Sequence, residues 1–299
     1  MEKRKFGKTD MTVSVLGFGG SEIGYERVSL NTVKKLLNEA LDAGLNVIDT
    51  AECYMASEEL IGAAVGKRRR DYYLFTKCGH ERGWSYPDWR PESLLRSIER
   101  SLKRLKTDCL DLIQLHSCSE AELGKGDVIE ALKRARQRGY TRYIGYSGDN
   151  EAALFAVQSG EFDALQTSVS IADQTALDLI LPTAVERNIG VIAKRPVANV
   201  AWINGSRPPD DSYGRPYWER LQKLRYDFLQ KDLKESVAVA LRFTLTIPGV
   251  HTAIAGTAKP GRFAENATAL EAGPLSQELL DSIRLRWHEV AQASWVGQG

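Results

Sequence analysis

The feature that most constrains this chain is a repeat in its hydrophobic pattern. From Val13 onward, apolar runs of strand length alternate eight times with longer segments of helical period. The runs fall at 13–18, 45–49, 72–76, 110–115, 143–146, 164–167, 190–194 and 252–256. The helical segments between and after them fall near 29–43, 57–65, 91–105, 128–138, 151–158, 176–187 and 233–246, with a last one starting near 260. In the first of these, Leu30, Val33, Leu36, Leu37 and Ala40 form one stripe, Ser29 is placed to cap the start and Gly44 to end it. Eight strand–helix units at roughly 30-residue spacing predict an α/β fold, a single (β/α)8 TIM barrel. Such a barrel needs about 250 residues in one piece, and the 299 present suffice.

A doubly wound open sheet is the structural rival. It would carry Gly-x-Gly-x-x-Gly after its first strand, and Gly17-Phe18-Gly19-Gly20 lacks the third glycine. Residues 3–12, with the turn Gly7-Lys8-Thr9-Asp10, read as a β-hairpin ahead of the first barrel strand, and a C-terminal helix and tail follow the last unit. No low-complexity linker divides the chain, so residues 1–299 are expected to form one domain.

The charge balance asks for no polyanionic partner. Forty basic side chains face 39 acidic ones, which points to neither nucleic acid nor an anionic membrane. The N-terminus is charged from Glu2 and leads into no long apolar stretch, and no segment nears the length of a membrane span, so the expected location is cytoplasmic. Cys53, Cys78, Cys109 and Cys118 form no Cys-x-x-Cys pair and read as reduced thiols. A zinc set of Cys53, Cys78, Cys118 and His80 or His116 has suitable atoms but matches no finger or ribbon spacing, so no metal is expected.

Active sites of such barrels lie at the carboxyl ends of the strands. There the chain reads Asn46-Val47-Ile48-Asp49-Thr50-Ala51-Glu52-Cys53-Tyr54, in which a short apolar run stops at a carboxylate and a phenol follows five residues later. Lys77 follows the run 72–76, and His116 ends the run 110–115. A phenol titrates near 10 and is a poor acid at neutral pH unless its surroundings help. A nearby ammonium favours the phenolate, and a carboxylate keeps that ammonium in place. A histidine can donate a hydrogen bond that orients a carbonyl. Taken singly, Asp49 could cap a helix, Tyr54 could pack, and Lys77 and His116 could be satisfied strand ends; together they form a proton relay on one barrel face.

This set resembles the aldo-keto reductases, bacterial members included, and the resemblance covers nearly the whole chain. It implies that the hairpin plugs the barrel floor and that the activity is reversible reduction of a small-molecule aldehyde or ketone by NADP(H). Tyr54 would be the general acid, Lys77 would tune it, Asp49 would hold Lys77 and His116 would orient the carbonyl. It also implies a dinucleotide lying across the barrel mouth. Gly256, Thr257, Lys259, Arg262, Glu265 and Asn266 match the family's adenosine-phosphate segment, where a helix start and an arginine fork suit an extra ribose phosphate and favour NADPH. Ser147 and Gln166 would meet the nicotinamide amide, and Gly19 and Gly20 would let backbone approach the ring. Two departures stand out: Ser147-Gly148 replaces the usual Ser-Asn, and Lys194-Arg195 replaces an aromatic stacked on the nicotinamide. Lys194 would cover the ring with its methylenes and Arg195 would reach the pyrophosphate. The long loops 80–90 and 198–217 bring Trp84, Trp89 and Trp202 as candidate substrate contacts. The alternatives are a dinucleotide-binding redox sensor with little turnover and a metal-dependent barrel hydrolase.

Overall fold

The computed structural model describes residues 1–211 and 213–298. A two-stranded hairpin, β1 (Lys3–Lys5) and β2 (Thr12–Ser14), precedes eight parallel strands: β3 (Leu16–Gly19), β4 (Val47–Asp49), β5 (Tyr73–Cys78), β6 (Leu110–His116), β7 (Thr141–Ser147), β8 (Ala164–Ser168), β9 (Gly190–Lys194) and β10 (Thr252–Gly256). These eight close in sequence order, and β10 pairs back onto β3 to complete the barrel. The (β/α)8 architecture expected from the repeat is the one observed.

Alternation along each strand sorts the side chains into two cores. Leu74, Ile113, Ile144, Leu165, Val191 and Ala253 point outward and pack with the surrounding helices. Val47, Phe75, Leu112, Ala164 and Ile192 point inward and form a separate core with Phe6, Met11 and Val13 of the hairpin region. The inward positions nearer the strand ends change character: Asp49, Lys77, Gln114, His116, Ser147 and Gln166 are polar and buried. The barrel interior is therefore apolar at the floor and polar beneath the mouth.

The floor is closed by shape and by hydrogen bonds. The Phe6 ring lies 5.9 Å from that of Phe75, and it fills the space above Gly190, where a Cβ would come within 2.6 Å of it. Gly7 turns with φ +53° so close to β9 that its own Cβ would meet the Gly190 nitrogen at 2.3 Å. Lys8 N donates to the Asn188 carbonyl at 2.7 Å. From the inner face, the Tyr73 hydroxyl accepts from Thr12 N at 3.2 Å and the Tyr143 hydroxyl accepts from Asp10 N at 3.0 Å.

Three elements differ from the pattern reading. Val13 and Ser14 belong to the hairpin rather than to the first barrel strand, because Asn46 bends the chain there: its Oδ1 accepts from Ser14 N at 2.6 Å and its Nδ2 donates to the Thr12 carbonyl at 2.8 Å. The helix expected over 176–187 is two, Thr175–Leu179 and Leu181–Glu186, since Pro182 has no N–H to continue the ladder. The long insertion after β9 is not bare loop; it holds a 3-10 segment, Ala198–Asn204, and a helix, Arg215–Leu224. Among the described residues no helix is long and apolar enough to cross a membrane.

If Phe6 is the stopper of the floor, Phe6→Ala should cost about 3–5 kcal/mol of unfolding free energy, the usual range for emptying a fully buried phenylalanine site. Urea denaturation of the two proteins measures it, and a loss below about 1 kcal/mol would remove the hairpin from the core.

Candidate active site

β4 and β5 are neighbours, and their inward alternation brings Asp49 and Lys77 together. Lys77 Nζ donates to Asp49 Oδ1 at 2.5 Å and to the Thr50 carbonyl at 2.9 Å, with both side chains almost fully buried. Gln114, paired with Lys77 across β5 and β6, donates its amide to Asp49 Oδ2 at 3.3 Å. Burying two charges is costly, and the mutual bond, the Thr50 carbonyl and the Gln114 amide offset that cost.

Tyr54 comes from the loop after β4. Its ring sits 5.1 Å from Lys77 Nζ and 5.7 Å edge-to-face from the His116 ring. Burial, and after it the negative charge of Asp49, pushes the phenol well above its ordinary range. This differs from the expectation that Lys77 lowers it. The ammonium is spent on Asp49 and Thr50 and lies over the ring, and burial dominates. Tyr54 is accordingly a neutral phenol with a proton to give.

His116 ends β6. Burial, reinforced by the nearby Lys77 cation, holds its imidazole well below the usual histidine range, so the ring is neutral at pH 7. Its Nδ1 lies 3.5 Å from Cys53 Sγ. His80 Nε2 donates to the His116 carbonyl at 2.7 Å, and the His80 ring stacks on Trp84 at 4.4 Å. Trp84 in turn meets His116 edge-on at 5.0 Å. Behind them Glu52, buried, accepts from the backbone N–H groups of Gly79 and His80 at 2.7 and 2.9 Å and pairs with Arg100. Pattern reading missed His80, Glu52 and Gln114 as supports. Only Glu52 had a signal, a carboxylate inside the same strand-end stretch.

The other sequence-predicted positions form an arc around this group. Gly19 pairs with Asp49 on one side and Gly256 on the other, while Ser147 pairs with His116 and Gln166. Gly20 N donates to the Asp49 carbonyl at 2.8 Å, and a Cβ on Gly20 would press on Ser57 Oγ at 2.8 Å. Gln166 Oε1 is buried without a partner among the described residues. An orphaned amide oxygen beside Ser147 fits the carboxamide of a nicotinamide. Gly148 has a steric cause: a Cβ there would lie 2.5 Å from the Tyr146 hydroxyl, which is committed to the Cys118 carbonyl at 2.7 Å.

Lys194 and Arg195 are engaged with protein groups. Lys194 Nζ pairs with Asp149 Oδ2 at 2.9 Å, and burial, partly offset by Asp149, brings it down to about 8. Arg195 donates to Ser168 Oγ at 2.9 Å, to the Tyr213 hydroxyl at 2.6 Å and to the Gln298 carbonyl. The tail reaches this spot because Gly297 exchanges two hydrogen bonds with the Asn150 side chain and Arg220 holds the Val296 carbonyl at 2.6 Å. Asp149 and the tail had no readable signal.

Thr257, Lys259, Arg262, Glu265 and Asn266 lie at and after the end of β10, where Arg262 opens the helix Arg262–Leu270 and pairs with Glu265 at 2.7 Å. Trp84 is half exposed beside His116, whereas Trp89 backs His80 and covers Gly79. Trp202 is elsewhere, packed on the outer core with its indole N–H on Ser236 Oγ at 3.2 Å. Cys78 and Cys118 sit in the layer between barrel and helices, while Cys53 meets His116 at the mouth, so the three thiols do not converge as a zinc set would require.

A sequence profile described as the Aldo/keto reductase family matches residues 15–285. The chain belongs to that family. It is 30% identical over 301 residues to the uncharacterized oxidoreductase YqkF of Bacillus subtilis, covering 95% of this chain and 96% of YqkF. It is 28% identical to the L-galactose dehydrogenase of Arabidopsis thaliana, over 99% and 97% of the two chains. The holo form of aldo-keto reductase AKR11C1 from Bacillus halodurans superposes with a TM-score of 0.82 at 28% identity, covering 98% of this chain and 97% of that one. As an aldo/keto reductase the chain is an oxidoreductase, of a family that exchanges carbonyl and alcohol with a nicotinamide cofactor. When bound, that cofactor supplies the hydride; Ser147 and Gln166 have the atoms to hold its carboxamide.

Asp49→Ala should leave Lys77 charged and buried, at a cost of about 3–5 kcal/mol. Adding Lys77→Met should recover part of that loss, because an apolar pair of similar volume removes the unpaired charge. Chemical denaturation of the single and double variants checks both; additive losses would mean the two residues are not coupled.

Proposed function

We propose that this aldo/keto reductase reduces an aldehyde or ketone to the alcohol with NADPH, using Tyr54 as general acid. The observation that carries the reading is a neutral, part-buried phenol against the buried Lys77–Asp49 pair and the neutral His116 ring. With a bound nicotinamide supplying hydride to the carbonyl carbon, the oxygen would gain charge and take the Tyr54 proton. The phenolate left behind faces the Lys77 ammonium, which Asp49 holds in place, so the pair stabilises the product of proton transfer rather than the resting phenol. His116 gives the carbonyl oxygen a second donor. In alcohol oxidation the same tyrosine works as base.

Preference for NADPH is supported by Thr257, Lys259 and Arg262 around the start of the helix Arg262–Leu270, where a hydroxyl, an ammonium and a guanidinium suit a ribose phosphate. Arg262 is paired with Glu265 on the surface and can be drawn from it by a dianion. The substrate rim is aromatic: Tyr25 lies 5.8 Å from the Tyr54 ring, Trp84 covers His116 and Tyr213 covers Arg195. It suits an apolar or aromatic carbonyl compound. Because one relative is an L-galactose dehydrogenase, sugars belong in the substrate panel. Free thiols and a balanced charge support a cytoplasmic setting and a small-molecule carbonyl substrate rather than a polyanionic partner.

Tyr54→Phe should lower the rate of NADPH oxidation with an aldehyde panel by about a hundredfold or more while NADPH binding, read by fluorescence titration, stays close to wild type. Unchanged turnover would remove the proposed acid. Arg262→Ala should raise Kd for NADPH by roughly tenfold or more and leave NADH nearly untouched; equal losses would sink the phosphate assignment. Tight NADPH binding by the wild type with no turnover on any carbonyl would favour the redox-sensor alternative.

A further inference from the structure

A neutral imidazole carries one N–H, and which nitrogen bears it decides what the ring can do. For His116 to donate to a carbonyl from Nε2, its Nδ1 must be an acceptor. Among the described residues, the one hydrogen-bond partner of this ring is the Cys53 thiol, 3.5 Å from Nδ1. We propose that Cys53 is a positioning residue: its S–H donates to His116 Nδ1 and holds the ring in the tautomer that presents Nε2–H to the barrel mouth.

Several observations converge on this. The ring itself is fixed independently, by His80 on its backbone carbonyl and by Trp84 and Tyr54 against its edges and faces, so the thiol is not needed to hold it in place. What those contacts leave open is the proton, since none of them accepts from or donates to a ring nitrogen. Cys53 stands next to Tyr54 in the loop after β4, and its carbonyl accepts from the Tyr25 hydroxyl at 3.4 Å, which ties that loop to the helix Ser21–Tyr25. Burial pushes the thiol up to about 12, so it keeps its proton throughout the working range and serves as donor rather than as thiolate. Burial also keeps His116 neutral, which makes the choice of tautomer a real one. A sulfur donor is weak, yet no other group among the described residues hydrogen-bonds this nitrogen. The catalytic consequence rests on the reading of Tyr54 and His116 given above; the tautomer itself does not.

The test is 15N NMR of the full chain labelled at histidine, on the wild type and on Cys53→Ala and Cys53→Ser, with steady-state kinetics on the same samples. The wild type and Cys53→Ser should show His116 protonated on Nε2 and bare on Nδ1. Cys53→Ala should show the Nδ1–H form gaining population, with kcat for carbonyl reduction falling roughly tenfold, KM for the dinucleotide unchanged, and activity recovered in Cys53→Ser. A proton on Nδ1 in the wild type overturns the proposal without reference to any variant. An unchanged Nε2–H signal in Cys53→Ala overturns it as well. If the tautomer follows the side chain at 53 and no variant, wild type included, reduces a carbonyl, the thiol's role stands and the reading of the reaction falls.

Discussion

The rest of this mouth depends on one buried ion pair. Lys77 and Asp49 lie inside the barrel with almost no exposure, and each is costly there without the other. Their meeting requires β4 and β5 to be adjacent and in register, and Gln114 of β6 and the Thr50 carbonyl add hydrogen bonds to the pair. Those demands fix three strand ends relative to one another. Tyr54 and His116 can then be placed against the pair by packing alone.

The interior changes from apolar to polar within a few residues of each strand. Val47 gives way to Asp49, Phe75 to Lys77, and Leu112 to Gln114 and His116. Near the floor, burial stabilises the fold; near the mouth the same burial shifts the ionisable groups, leaving Tyr54 and His116 both neutral. Supports for the reactive side chains come from outside the interior layer: Glu52 and His80 hold the loop that shapes the His116 pocket. Stability and chemistry thus draw on one physical quantity, exclusion of water, at two heights of the barrel.

Much of this was legible in the chain, because strand ends in a parallel barrel are marked by where an apolar run stops. Asp49, Lys77 and His116 stand at such stops, and the helical stripes between them carry the period that defines the fold. What could not be read are contacts whose partners are distant or are backbone. His80 acts on a carbonyl, and Asp149 answers Lys194 from another strand end. Trp202 looks like a pocket aromatic in sequence and is spent on Ser236 of an outer helix. The glycine at 148 reads as a missing contact, but the Tyr146 hydroxyl behind it leaves no room for a side chain. The sign of the Tyr54 shift was also beyond the residue types, since it turns on burial first and on the Asp49 charge after it.

The stopper at the floor has a consequence for traffic. With Phe6 seated over Gly190 and the hairpin tied to Asn188, Tyr73 and Tyr143, the described residues close the barrel at its floor. On the proposed reading, a dinucleotide and a carbonyl compound would both reach the group above Lys77 from the mouth, and the deeper-lying of the two would have to enter first. The end of the molecule that touches neither reactant would thereby constrain their order of addition.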